Sequence, residues 1–172
     1  MRRLHPFAFL PFALTACGDG TDDKFAPPCP GAAILRDAAD LHRFRGTGRD
    51  FTDTLLDGRI SGLGGSCKRD GPNTVVATVT VGIDLTRGPA AADRQVEIAY
   101  FVAVVEGDTI LDKRVFRLRP SFAANSNRLR LDGDELELRL PVSKQKSAAA
   151  YRIQVGFQLT PQELAVNRQG GK

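Results

Sequence analysis

The sequence predicts an all-β fold, an antiparallel β-sandwich, because apolar and polar residues alternate along most of the chain and turn residues separate the alternating segments. The chain has 172 residues, which is enough for one domain with a buried core. Hydrophobic residues make up 42% of it and charged residues 26%, a balance typical of globular rather than disordered proteins. An immunoglobulin-like strand arrangement is one form of this sandwich, and a small β-barrel is the alternative.

The individual strands are predicted from the period of two that a strand imposes on its side chains. The clearest strand covers 75–86, where every odd-numbered residue from Ala77 to Leu85 is apolar. Segment 95–106 becomes apolar on both faces, which is typical of a central strand. Further strands are predicted over 54–63, which ends in a glycine-rich turn at 62–66, over 111–118 and over 151–159.

A hairpin is predicted around Asp132-Gly133, because this dipeptide is favoured in two-residue turns. Placing the turn there pairs residues of complementary chemistry across the two strands. The predicted pairs are Arg130 with Glu135, Leu129 with Leu136, and Arg128 with Glu137.

Residues 30–45 fit two different structures. A helix would align a set of apolar side chains on one face, whereas two extended pieces would be joined by a turn at Asp37. Periodicity alone does not decide between them, and the apolar set is Ile34, Leu35, Ala38, Leu41 and Phe44.

The C-terminal end carries a helix start signal. Thr160-Pro161-Gln162-Glu163 matches a capping box with proline at the first helical position. A short helix is therefore predicted to about residue 168, followed by a frayed tail over 169–172.

The first 16 residues are typical of a signal peptide. Arg2 and Arg3 form a positive end, and residues 4–14 are mostly apolar. This apolar segment is far shorter than the roughly 20 residues that a membrane-spanning helix needs. Pro6 and Pro11 also suit a helix interior badly.

Leu14-Thr15-Ala16-Cys17 resembles the lipobox of bacterial lipoproteins, in which an aliphatic residue and two small residues precede a lipidated cysteine. The resemblance implies cleavage before Cys17, attachment of lipid to its sulfur, and a stable membrane anchor made of two or three acyl chains. Residues 17–28 would then be the lipidated cysteine and a flexible polar tether, and 29–168 the β domain. Gly18, where enteric sorting signals for the inner membrane carry aspartate, favours the periplasmic face of the outer membrane.

The number of cysteines agrees with this interpretation. If Cys17 carries lipid, Cys29 and Cys67 remain as a pair, and an oxidising compartment favours a disulfide between them. Such a bond would close a loop of about 39 residues and stabilise the fold by about 4 kcal/mol at most. A metal site at these two cysteines is disfavoured because no CxxC motif and no histidine pair accompanies them.

Short motifs across the mature chain also resemble an uncharacterised group of bacterial envelope lipoproteins. The resemblance implies a location in the cell envelope but no particular activity. The motifs are Cys29-Pro30, Asp37-Ala38, Arg87-Gly88-Pro89-Ala90, Tyr100-Phe101-Val102-Ala103-Val104 and Gln158-Leu159-Thr160-Pro161.

The sequence predicts no catalytic residue, no cofactor and no metal site. His42 is the one histidine after the leader, so any Ser-His-Asp or Cys-His arrangement would depend on it, and no G-x-S-x-G motif is present. We therefore expect His42 to be a surface or loop residue. Without Arg2 and Arg3 the 24 basic residues fall to 22 against 20 acidic ones, which is too even a balance for a nucleic-acid partner.

These observations predict a lipid-anchored, non-enzymatic binding or structural module of the cell envelope. Its expected partners are the membrane, through the lipid on Cys17, and another envelope protein. Two alternatives stay open: a hydrolase that uses acidic residues or His42, and a small-ligand carrier with a cavity between its sheets.

Overall fold

Two β-sheets pack face to face in the computed structural model, which describes residues 28–170. The elements, numbered in chain order, are β1 (Gly31–Ile34), β2 (Asp40–Phe44), β3 (Thr54–Arg69), β4 (Thr74–Arg87), β5 (Ile98–Glu106), β6 (Thr109–Leu118), β7 (Arg128–Asp132), β8 (Leu136–Pro141), β9 (Tyr151–Phe157) and α1 (Pro161–Gly170). The predicted signal peptide, the predicted lipidation site Cys17 and most of the predicted tether lie outside the described residues.

The strand order confirms the predicted sandwich. The first sheet has the order β1-β9-β5-β6, and the second has the order β2-β3-β4 with both β7 and β8 on the far edge of β4. Within the described residues neither sheet closes on itself, so the barrel alternative is wrong. The immunoglobulin fold pairs its second strand with its fifth, whereas β2, β3 and β4 pair in chain order. The structure is therefore a β-sandwich with a strand order that differs from the immunoglobulin order.

The core lies between the sheets, and β4 supplies its centre. The odd-numbered residues from Ala77 to Leu85 are each at most 3% exposed, as the alternation predicted. They face the inward side chains of β9 and β5, among them Val155 and Val102. Burying an aliphatic side chain of this size contributes about 1.5–3 kcal/mol, so this layer is a main source of stability.

The ambiguous segment 30–45 forms two strands and not a helix. β1 pairs in parallel with β9, and a 3₁₀ turn over Arg36–Ala38 leads into β2, which pairs with β3. β1 obtains its hydrogen bonds from the last strand of the chain, and β2 obtains its hydrogen bonds from the strand that follows it. Tertiary pairing therefore decides a question that local periodicity left open.

The predicted turn at 62–66 is wrong, because β3 continues without a break to Arg69. Glycine is used here for close approach and not for turning: a Cβ on Gly64 would lie 2.6 Å from Thr80 Oγ1 on the neighbouring strand. The register shifts between Ile60 and Gly62, as a β-bulge does. The strand thus keeps its pairing with β4 beyond the predicted end.

The predicted hairpin at Asp132-Gly133 is also wrong. β7 and β8 lie one after the other along the same edge of β4, and neither pairs with the other. Leu131 pairs with Ile83 and Leu136 with Val79, so the connecting segment contains one residue more than the β4 segment opposite. That extra residue returns the leucines of β8 to the inward face.

Pairing with β4 replaces the hairpin contacts that the sequence suggested. The N–H of Gly133 donates to the carbonyl oxygen of Val81 at 2.9 Å, so the segment stays attached to β4 between the two strands. Arg130 faces Asp84 of β4, at 3.8 Å, instead of Glu135. A Cβ on Gly133 would lie 2.8 Å from the hydroxyl oxygen of Tyr100, which explains why glycine suits this position.

The capping box at the start of α1 is confirmed. The N–H of Thr160 donates to Glu163 Oε2 at 2.7 Å, and the N–H of Glu163 donates to Thr160 Oγ1 at 3.2 Å. Glu163 also accepts a hydrogen bond from Arg43 Nε at 2.8 Å. The amide group of Asn167 donates to two carbonyl oxygens beside the 3₁₀ turn, which fixes the helix against β2.

The predicted disulfide between Cys29 and Cys67 is confirmed, with a Cα–Cα distance of 5.8 Å. It joins the segment before β1 to β3, so it connects the two sheets on one side of the sandwich.

We expect Cys29→Ala/Cys67→Ala to lower the free energy of unfolding by about 2–4 kcal/mol, measured by urea denaturation. A reductant should shift the wild-type midpoint and leave that of the variant unchanged. Equal midpoints for both oxidised proteins would contradict this stabilising role.

Glu163 makes the stability of the helix attachment depend on pH. Burial alone would raise the pKa of Glu163. The hydrogen bond and the positive charge of Arg43, together with the hydrogen bonds to Thr160, outweigh burial and hold the pKa below its ordinary value of 4.5. The stabilisation is therefore complete above pH 4.5 and is lost as the pH falls through the lower pKa of the folded state.

We expect Glu163→Gln to cost about 1 kcal/mol at neutral pH, because a charge-assisted hydrogen bond is weakened. The difference from wild type should shrink as the solution is acidified below the ordinary glutamate pKa. Urea denaturation across pH measures it, with Gln162→Ala as the matched neighbour that should leave stability unchanged. A Glu163→Gln difference that stays constant with pH would rule out the charged interaction.

Candidate functional site

A cleft of about 490 Å³ opens between the sheets where the edge strand β6 of the first sheet lies beside β8 of the second. Its volume falls in the range typical of small-molecule sites. The floor is apolar and consists of buried inward residues from three strands, namely Val104, Leu138, Leu140 and Tyr151. The rim is polar and consists of Glu106, Asp112, Arg114, Arg139, Ser143 and Lys146.

Arg114 bridges the two sheets at the mouth of the cleft. Its Nε donates to Asp112 Oδ2 at 3.1 Å on the same strand, and its Nη1 lies 3.5 Å from the carbonyl oxygen of Glu137 on β8. Both side chains of the ion pair are about half exposed, so the pair contributes little to stability. Arg114 is therefore free to exchange these contacts for a ligand at low cost.

Lys146 fixes the loop that covers the other end of the cleft. Its Nζ donates to Glu106 Oε2 at 2.7 Å and lies 4.4 Å from the centre of the Tyr151 ring. The hydrogen bond to Glu106, with a smaller contribution from Tyr151, raises the pKa of Lys146. The Tyr151 hydroxyl in turn donates to the carbonyl oxygen of Pro141 at 2.6 Å. A positive charge is thus held at the rim above an aromatic wall.

The sequence did not indicate this cleft. Its floor combines residues from β5, β8 and β9, which are distant along the chain, and each of them shows only the alternation of an ordinary strand. The single local signal is Leu111, which lies in the cleft wall next to a register shift in the β5–β6 pairing and is half exposed.

His42 lies on the outer face of the second sheet and not in the cleft. Its Nδ1 is 2.8 Å from Asp57 Oδ1, its partner across the β2–β3 pair, and its side chain is 37% exposed. Among the described residues no serine, threonine or cysteine side chain is hydrogen-bonded to the ring. The arrangement contains a histidine and a carboxylate but lacks the nucleophile that a hydrolytic triad requires.

The charged side chains around His42 form a solvated surface. Asp40 pairs with Arg59 at 2.7 Å across β2 and β3, and Arg130 faces Asp84 across β7 and β4. The hydrogen bond that Arg59 Nε donates to Asp40 Oδ1 raises the pKa of Arg59, which stays positively charged. In residues 28–170 no three histidine, cysteine, aspartate or glutamate side chains are grouped so that they could bind a metal ion.

The predicted lipidation site, Cys17, lies outside the described residues, and the two other cysteines are bonded to each other. Among the helices in the described part of the chain, none has the length and apolar character needed to cross a membrane. The chain matches no family model, and no curated protein or solved structure shows significant similarity to it.

Proposed function

We propose that this chain is a lipid-anchored binding module of the cell envelope, without enzymatic activity, that holds a small amphipathic molecule in the cleft between its sheets. The observation that supports the ligand is the cleft itself, with its apolar floor and charged rim. The lipobox at Cys17 supports the anchor, and the Cys29–Cys67 bond agrees with an oxidising compartment.

The chemistry of the cleft favours a ligand with one apolar part and one polar part. The floor offers Leu138, Leu140 and Val104 to an aliphatic chain or ring, whose burial is favourable in proportion to its area. The rim offers hydrogen-bond donors from Arg114 and Lys146 to a polar or anionic end. An envelope protein that delivers or receives this ligand is the expected macromolecular partner.

Binding rather than catalysis is favoured by the state of the charged residues. Arg114, Arg139 and Lys146 of the rim are each paired with a carboxylate. His42 lies on the other sheet's outer face. A general base and a nucleophile held within hydrogen-bonding distance of each other, which hydrolysis needs, are not among the described contacts of the cleft.

The anchor is tested by replacing the lipidated sulfur. We expect the mature wild-type protein to begin at Cys17 with the added mass of its acyl chains, and Cys17→Ser to lose both the acylation and the retention in the membrane fraction. Intact mass and fractionation after expression in a bacterial host measure this. Cys29→Ala/Cys67→Ala is the matched control and should keep the acyl mass. A wild-type protein recovered without acyl mass contradicts the anchor.

The cleft is tested with an apolar fluorescent probe, N-phenyl-1-naphthylamine, whose emission rises on transfer from water. Leu111 lines the cleft, and its neighbour Ile110 is equally aliphatic but is not part of the lining. We expect Leu111→Asp to weaken probe binding about tenfold, because it places a charge in an apolar wall.

Ile110→Asp is the matched control and should change the affinity by less than about twofold. Competition by a long-chain fatty acid should displace the probe from the wild type. Equal affinities of the wild type and Leu111→Asp, or a loss of the same size in both variants, would count against the cleft as the binding site.

A further inference from the structure

The outer face of the first sheet carries charge of one sign. Strand alternation turns thirteen positions outward, and their charged residues are Lys113, Arg117 and Arg152, all exposed and all basic. None of the three forms an ion pair with another described residue. The outer face of the second sheet differs, since Asp40, Asp57 and Asp84 each pair there with a cationic side chain or with histidine.

Exposed aliphatic side chains lie among these cations. Ile110 is 62% exposed and Val115 is 39% exposed, and both are outward positions of β6. Together with Lys113, Arg117 and Arg152 they form what we call the basic face. Lys113 lies 4.4 Å above the Phe101 ring, so its stem covers the apolar surface of β5 while its charge stays accessible.

Apart from Arg152 on β9, the basic face follows the edge strand β6 along its length, and the sheet is partly covered on the side of β9. The 3₁₀ turn packs on β9, where a Cβ on Gly156 would lie 2.7 Å from the Cβ of Ala38. Leu159, just before α1, packs against the same apolar cluster. The fold therefore covers part of the outer surface beside β9 with its own chain and leaves the outward residues of β6, from Ile110 to Arg117, exposed.

The Ile110 end of the basic face is also the end at which the N-terminal segment enters the domain. Gly31, two residues after Cys29, pairs with Arg152, which pairs with Val105, and Val105 pairs with Ile110. These residues form one row across the four strands. With strands about 4.8 Å apart, Ile110 lies about 14 Å from the point where the segment after Cys17 joins the domain.

We propose that the basic face docks on the surface of an anionic phospholipid bilayer, with Ile110 in the interfacial region and the three cations against the phosphate groups. This inference rests on the proposed function, because an anchor at Cys17 brings the entry end of the domain near the membrane. Basic residues near an anionic membrane each contribute about 1 kcal/mol of attraction, which is about fivefold in partitioning. Docking would also bring the mouth of the cleft, lined by the β6 residues Leu111 and Arg114, beside the lipid.

Vesicle binding of unlipidated chains tests the face apart from the anchor. All chains carry Cys17→Ser and share residues 1–27, so that contributions from this segment cancel in the ratio of their partition coefficients. One variant adds Lys113→Gln/Arg117→Gln/Arg152→Gln. The matched control removes the same charge from the outer face of the second sheet with Lys68→Gln/Arg128→Gln/Arg130→Gln. Phosphatidylcholine vesicles with and without phosphatidylglycerol are the probes, and sedimentation measures the bound fraction.

On vesicles that contain phosphatidylglycerol, we expect the basic-face variant to lose on the order of 100-fold in partitioning. The control should lose less than about threefold, because its charges are not in contact with lipid. On neutral vesicles the three chains should bind equally. Equal losses in the two variants, or a loss on neutral vesicles as well, overturn the proposal. If the protein is retained on heparin but binds anionic and neutral vesicles equally, the basic face binds a soluble polyanion, and the proposal of membrane docking is overturned.

Hydrogen exchange keeps the proposal testable if the triple variant folds poorly. In the lipidated wild type, amides of β6 should exchange more slowly in nanodiscs that contain phosphatidylglycerol than in neutral ones, while those of β7 should not change. Equal β6 exchange in both overturns the docking. The proposed anchor is tested independently of the proposed docking. A wild-type protein that carries no acyl mass but still shows charge-dependent vesicle binding would refute the anchor and would leave the docking proposal standing.

Discussion

The pairing of β4 along both of its edges is the constraint on which the second sheet depends. One edge pairs with β3 over most of its length, and the other accepts β7 and β8 in succession. A strand in the middle of a sandwich cannot leave its backbone N–H and carbonyl groups without partners, because no water reaches them. The chain between residues 128 and 141 therefore runs along β4 instead of folding back on itself.

The same requirement explains where the cleft forms. β6 and β8 are outer strands of different sheets, so they meet through side chains and not through backbone hydrogen bonds. Arg114 spans the gap to the carbonyl oxygen of Glu137, and the apolar residues behind it remain reachable from the edge. The charged side chains of β6 also make this exposed strand a poor template for pairing with another chain.

The two outer faces of the sandwich are adapted to different surroundings. On the second sheet, neighbouring strands place opposite charges beside each other, as in the pair of Asp40 and Arg59, which suits a surface in contact with water. The first sheet combines Ile110 and Val115 with cations that form no ion pair with another described residue, and Ile110 lies at the end where the N-terminal segment enters. An anchored domain oriented by this face would present its cleft along the membrane and the His42 surface away from it.

By itself the sequence determined the features that depend on neighbouring residues. Alternation located β4, β5 and β9 and their inward faces, the capping box located the start of α1, and the count of cysteines paired Cys29 with Cys67. Only the tertiary structure decided the path of β3 through its glycines, the choice between helix and strands in residues 30–45, and the place of Asp132-Gly133 between two successive strands on one edge of β4. Each of these depends on which other strand offers free hydrogen-bonding groups, and the cleft depends on how two sheets meet. The pattern within one segment contains neither kind of information.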